Sequence, residues 1–196
     1  MIFQDLLDKA VEEGRLIKNT QTAVSWLNSN VRTLNVQPNQ VLAQYKSETS
    51  QFIYPGTLTL FKYRATNQRP YYDSFPLVIY LQETNNGFIG MNLHYISYAQ
   101  RAILMDGLYQ IARNKNTSQP IIAANYQFLS RFQRFRYFKP CVKRYLYSNV
   151  KSRFLSISPQ YWNIALFLPL ERFVGSSKEH VWSESALKVN RGNNGK

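Results

Sequence analysis

Residues 107–170 contain no Asp or Glu. Within them, residues 131–153 (RFQRFRYFKPCVKRYLYSNVKSR) carry eight Lys or Arg with aromatic residues set between the charges. These cations must lie in water, meet carboxylates from elsewhere in the chain, or face a negative companion. A basic segment interleaved with rings suits a polyanion, with cations for phosphates and rings for sugars, bases or core packing. The remainder of the chain does not balance it. There are 24 Lys and Arg against 11 Asp and Glu, a net charge of +13. Such an excess costs folding energy through self-repulsion and usually marks an acidic partner such as nucleic acid. The charge is clustered rather than spread, so solubility alone does not account for it.

Several function classes are disfavoured. The single cysteine, Cys141, allows no internal disulfide and points to a reducing compartment. No Cys/His cluster has zinc-ligand spacing. Neither a G-x-x-x-x-G-K-[ST] loop nor a G-x-G-x-x-G fingerprint is present. No cofactor or metal is therefore expected. Asp73 and Glu83 flank a strand pattern and could suggest a nuclease carboxylate pair, but a metal nuclease usually needs more acids. Cys141 follows Pro140 at an expected helix start, where the dipole would lower a thiol pKa. Without an assigned base it reads as a core residue. His94 reads as a structural residue bonded to backbone, and His180 lies near the C-terminus. The chain reads as non-enzymatic. No stretch approaches the roughly 20 apolar residues of a membrane span. The acidic first turns do not read as a signal peptide, so a soluble, intracellular chain without membrane contact is expected.

With 196 residues, 44% of them hydrophobic and 15% aromatic, the expectation is one globular domain plus arms. Residues 1–53 read as an N-terminal helical arm and linker. Phe3, Leu6, Leu7, Ala10 and Val11 recur at helical spacing up to Gly14, and a second helix runs through Trp26, Leu27 and Val31. Residues 35–53 are polar, with one helical turn around Val41. The core domain is placed at 54–175. Strands are expected at 57–64 (with a phase slip at Leu60–Phe61), 77–81, 88–96, 154–157 and 164–168. Asn85–Asn86–Gly87 makes a hairpin turn. Helices are expected at 98–113, capped by Ser97, at 120–135 opened by Pro120, and at 140–150 opened by Pro140. A C-terminal helix over 176–187, anchored by Val181 and Trp182, precedes a flexible tail to 196. The sum is an α+β fold: a small antiparallel, SH3-like β-barrel with inserted helices and an N-terminal helical arm.

The expected helix at 140–150 carries the candidate site. Lys139, Lys143, Tyr147 and Lys151 form one i,i+4 row with Arg144 beside it, while Val142, Tyr145, Leu146 and Asn149 lie opposite. Like charges at i,i+4 repel by a few tenths of a kcal/mol each, and a negative partner would reverse that cost. The nucleic-acid-binding set is Arg131, Arg134, Arg136, Lys139, Lys143, Arg144, Tyr147, Lys151 and Arg153. Tyr137, Tyr145 or Tyr147 could stack on a terminal base pair. The turn Tyr71–Tyr72–Asp73–Ser74–Phe75–Pro76 reads as three rings closing the end of a barrel.

Four segments together carry a resemblance: RPYYDSFPLVIYL (69–81), GFIGMNLHYI (87–96), FRYFKPCVKRYLYSNVKSRF (135–154) and WNIALFLPLERF (162–173). Over roughly residues 54–185 the chain resembles a family of virion proteins from T-even-like myoviruses and their marine relatives, associated with protection of DNA ends. The resemblance implies a small non-enzymatic protein that binds the ends of packaged double-stranded DNA near the portal and shields them from host exonuclease. It further implies residence in the virion, host cytoplasm during assembly, contact with other virion proteins, and room for self-association on the particle. Binding duplex ends needs phosphate contacts and no base code, which the cations of residues 131–153 supply. The alternative is a structural protein of the phage neck, tail or baseplate whose basic face meets acidic neighbouring subunits. A host-directed nuclease inhibitor ranks lower.

Overall fold

A computed structural model describes residues 1–15, 21–66, 70–114 and 138–191. Its centre is a six-stranded antiparallel sheet in the order β1-β7-β2-β4-β5-β6. The strands are β1 (Thr49–Ser50), β2 (Leu58–Leu60), β4 (Leu77–Thr84), β5 (Gly87–Asn92), β6 (Val142–Leu146) and β7 (Phe154–Ile157). A separate two-stranded ribbon joins β3 (Tyr72–Asp73) to β8 (Phe173–Val174). The helices are α1 (Ile2–Glu12), α2 (Gln21–Asn30), α3 (Pro38–Gln44), α4 (Tyr98–Asn114), α5 (Trp162–Phe167) and α6 (Lys178–Arg191).

The apolar run of β4 is continuous because the sheet is covered on both faces. Leu77, Ile79 and Leu81 point into the main core, together with Leu58, Leu60, Met91, Leu155 and Ile157. Val78 and Tyr80 point the other way, into an aromatic cluster of Phe61, Tyr63, Phe88, Tyr145 and Phe154. Phe61 sits at its middle, with four edge-on ring contacts at centroid distances of 5.1–6.3 Å. The phase slip at Leu60–Phe61 is the point where the chain leaves β2 and crosses from one core to the other.

Helices α1–α3 share the main core. Phe3, Leu6, Ala10, Leu27, Val31 and Val41 belong to the same buried cluster as the sheet and α5. Phe3 stacks on Tyr161 at 5.7 Å, and its backbone N–H donates to the Tyr45 hydroxyl (2.9 Å). Gly14, at φ +67°, ends the first helical stretch as glycine readily does. Helix α4 opens with the expected cap. Gln100 N–H donates to Ser97 Oγ (3.4 Å), and Ser97 N–H returns to Gln100 Oε1 (3.0 Å), a capping box.

The α+β expectation holds, with four corrections. The sheet is not closed into an SH3-like barrel, since β1 and β6 are open edges. Beyond β2, a single Tyr63–Val150 bridge links the two sides. Residues 140–150 are not a helix. A 3-10 turn at 138–141 leads into β6, then a second turn, Tyr147–Asn149. Strand pairing wins because β6 can approach β5 closely at Gly87, where a Cβ would run into the Tyr145 carbonyl oxygen. The apolar run at 164–168 is helical, lying mostly within the fully buried α5. Short buried runs of this kind fit strand or helix equally. Finally, β5 stops at Asn92, whose side chain accepts from His94 N–H and turns the chain into a 3-10 segment. The helix expected at 120–135 lies outside the described residues.

Candidate nucleic-acid interface

Two buried polar clusters position the surface. In the first, Asp73 Oδ2 accepts from His94 Nδ1 (2.7 Å) and Asn92 Nδ2 (3.0 Å), and Asn92 Nδ2 also reaches the Tyr145 hydroxyl (3.0 Å). Asp73 Oδ1 accepts from the backbone of Phe75 (3.0 Å) and Arg172 (3.4 Å). All four side chains are buried, so this cluster ties β3, β5 and β6 together from inside. Burial holds the Tyr145 phenol well above its ordinary pKa, which keeps it neutral. His94 is fully buried, and its ring bonds a carboxylate rather than the backbone the sequence reading expected. Asp73 lies in this cluster and Glu83 is exposed towards the far end of β4, so they form no carboxylate pair.

In the second cluster, Arg101 is fully buried. It donates to the carbonyls of Leu93, Ile96 and Leu166 and to Glu171 Oε1 (2.5 Å). Burial alone would push the Glu171 carboxyl up, but Arg101 and then His94 outweigh it and hold it at about 2. Cys141 is buried with its thiol pushed up to about 12, which makes it an inert core residue; Lys143 and Arg101 only partly offset that burial.

The surface cations are not arranged as one helical row. On strand β6 neighbouring side chains alternate between faces, so Lys143 and Arg144 diverge. Lys143 is half-buried, its Nζ 4.0 Å above the Tyr95 ring. Arg144 is exposed and donates to Asn86 Oδ1 (2.8 Å) at the tip of the β4–β5 hairpin. Tyr147 N–H bonds Asn86 O (3.1 Å), and the Tyr147 ring, 40% exposed, leans on Phe88. Lys139, Lys151 and Arg153 are exposed. Arg131, Arg134 and Arg136 lie outside the described residues.

Sequence spacing missed two members. The bridge Tyr63–Val150 is flanked by Lys151 N–H to Lys62 O (2.8 Å) and Arg64 N–H to Asn149 O (2.9 Å). This short antiparallel ladder turns Tyr63 and Val150 towards the aromatic cluster and sets Lys62 opposite Lys151. Both lysines are exposed, and like charges directly opposite on a ladder destabilise it. The only hint was the alternation Lys62–Tyr63–Arg64. Its pairing partner lies almost ninety residues on, beyond the reach of local spacing. Among the described residues, no carboxylate is within ion-pair distance of Lys62, Arg64, Lys139, Arg144, Lys151 or Arg153. Ion pairs among the described residues instead involve the N-terminus, α1, α6 and the two buried clusters.

Surface cations without an ion-pair partner among the described residues are suited to holding phosphates. Residues 2–190 match the family described as phage T4 terminal DNA protecting protein. The chain belongs to that family. Members of the terminal DNA protecting family are named for guarding phage DNA termini, and the match runs from the start of α1 into the last turn of α6, taking in the strands described above. No curated protein and no solved structure matches the chain. Among the described residues, no helix is long and apolar enough to cross a membrane, and no group of His, Cys, Asp and Glu could hold a metal ion.

Proposed function

We propose that this member of the terminal DNA protecting family binds the ends of double-stranded phage DNA through backbone phosphates and blocks exonucleases sterically, without catalysing a reaction. The observation that carries this reading is the pairing of Lys62 against Lys151, with Arg64 and Arg153 adjoining and, among the described residues, no carboxylate within ion-pair distance. Lys151 Nζ now donates to Ser148 O (2.8 Å) and Lys62 Nζ lies 5.9 Å over the Phe75 ring, and phosphates would offer both side chains charge-assisted hydrogen bonds instead. Arg144, Tyr147 and Lys139 extend the same strip along β6. Arg131, Arg134 and Arg136 join it in sequence.

The strand order β7-β2-β4-β5-β6, with a 3-10 turn before β7, is also the order of an SH3-like sheet with its closing seam unzipped. This supports reading the unit as a barrel-like binding module whose seam is the Tyr63–Val150 bridge. The protein would act in the virion, beside other virion proteins and near the portal, and copies could associate there.

The test is protection. Linear duplex is incubated with the full chain and then with a double-strand exonuclease. The wild type should preserve full-length DNA, and Lys62→Ala/Lys151→Ala/Arg153→Ala should lose protection while keeping its melting temperature. Equal protection by the variant would overturn the reading. Salt-insensitive binding to another virion protein, with none to DNA, would favour a neck or tail structural role.

A further inference from the structure

The loop between β1 and β2 exposes two large rings beside this strip. Phe52 is 71% and Tyr54 70% exposed, while Ile53 between them packs on the aromatic cluster. Alternation along an extended segment turns both rings to solvent and anchors the residue between them. The loop is held at both ends. Phe52 N–H donates to Ser50 Oγ (3.0 Å), Thr57 Oγ1 donates to Tyr54 O (2.7 Å), and Gly56 N–H donates to Tyr80 O (2.7 Å). Gly56 sits at φ +87°, a turn conformation that glycine accepts without strain.

The surroundings link these rings to the cations by two routes. Ser50 pairs with Phe154, so the chain leaves β1 for Phe52 where Lys151 and Arg153 lead into β7. On the other side, Tyr80 carries the Gly56 turn on its backbone, and its ring packs on Phe88, which in turn meets Tyr147. Single exposed apolar residues are ordinary on a protein surface. Two outward rings on a pinned loop, flanked by cations without carboxylate partners, are a more specific arrangement.

We propose that Phe52 and Tyr54 form a stacking platform for the terminal base pair of duplex DNA, and that this platform lets the chain distinguish an end from the interior of a duplex. The proposal rests on the phosphate-binding reading above and adds the source of end selectivity. Phosphates occur along the whole duplex, so cations alone cannot select an end. The flat, apolar face of a base pair is open only at a terminus, and base–aromatic stacking is indifferent to sequence.

The experiment compares the full chain on blunt-ended duplex with the same duplex closed at both ends by covalent hairpin loops. Wild type should prefer the open ends. Phe52→Ala/Tyr54→Ala should bind open ends about tenfold more weakly, the fold-change of losing one stacked base, and bind the closed duplex unchanged. Phe52→Trp/Tyr54→Trp should restore the preference. Lys62→Ala/Lys151→Ala/Arg153→Ala should weaken both duplexes alike. Wild type with no preference for open ends, or an alanine pair that keeps the preference, overturns the platform while leaving phosphate binding standing. A cation variant that binds both duplexes like wild type instead sinks the phosphate-binding reading itself.

Discussion

Arg101 shows how a chain so rich in cations uses one of them structurally. Its guanidinium is fully buried, satisfied by three carbonyls and by Glu171, and lies 4.5 Å over the Tyr98 ring. Replacing Glu171 by Gln would leave a buried cation partly unpaired. Breaking such a pair costs about 3–5 kcal/mol, so thermal melting of Glu171→Gln should fall by roughly 10 °C. The same pair sets a pH dependence. The Glu171 carboxyl is held at about 2, below its ordinary 4.5. Its contribution is therefore complete above pH 4.5 and is lost as pH falls towards 2. Acid titration of wild type should show stability falling across that window, and Glu171→Gln should show a shallower fall. An unchanged melting temperature in the variant would contradict the account. Sequence reading placed α4 correctly but not this role. Hydropathy alone would turn Ile103 inward, yet Ile103 is 63% exposed and Arg101, two residues earlier, is fully buried. A buried arginine is visible only when its distant acceptors, Leu166 and Glu171, are known.

Among the elements, β6 decides the shape of the interface. Its register on β5 is Gly87 to Leu146 through Met91 to Val142. Gly87→Ala should force the Tyr145 carbonyl away and cost about 1–3 kcal/mol, as overpacking does. Hydrogen exchange should then show β6 opening before β4, and unchanged protection of β6 would contradict this. Much else at this scale was legible in the sequence: the hairpin at Asn85–Asn86–Gly87, the Ser97 cap, β7, and the anchors Val181 and Trp182 of α6. The segment that carries the cations was not. Residues 139, 143, 147 and 151 fit helical spacing as charges. However, the rings and branched residues between them pair with β5, and Tyr145 joins Asn92 and the aromatic cluster. Long-range pairing overrode the local period. As a result Lys143 and Arg144 point to different faces, and Lys62 and Arg64 take the places the helix would have given to its own residues.

On the scale of the molecule, the charge is segregated. Most carboxylates of the described residues lie on or beside α1, on α6, or in the two buried clusters, with Glu48, Glu83 and Asp106 elsewhere. Among the described residues, Arg144 on β6, the Lys62–Lys151 pair beside the Tyr63–Val150 bridge, and Arg153 before β7 have no carboxylate within ion-pair distance. Family membership over residues 2–190 names DNA termini as what the family protects, and these cations are the proposed means of contact. The most direct measurement is the salt dependence of duplex binding by wild type and by Lys62→Ala/Lys151→Ala/Arg153→Ala. Each phosphate contact contributes about 0.9 log unit of affinity per log unit of salt. The account predicts a steep negative slope for wild type that becomes shallower by roughly 2–3 in the triple variant, one contact per side chain removed. Identical slopes for the two proteins would contradict it.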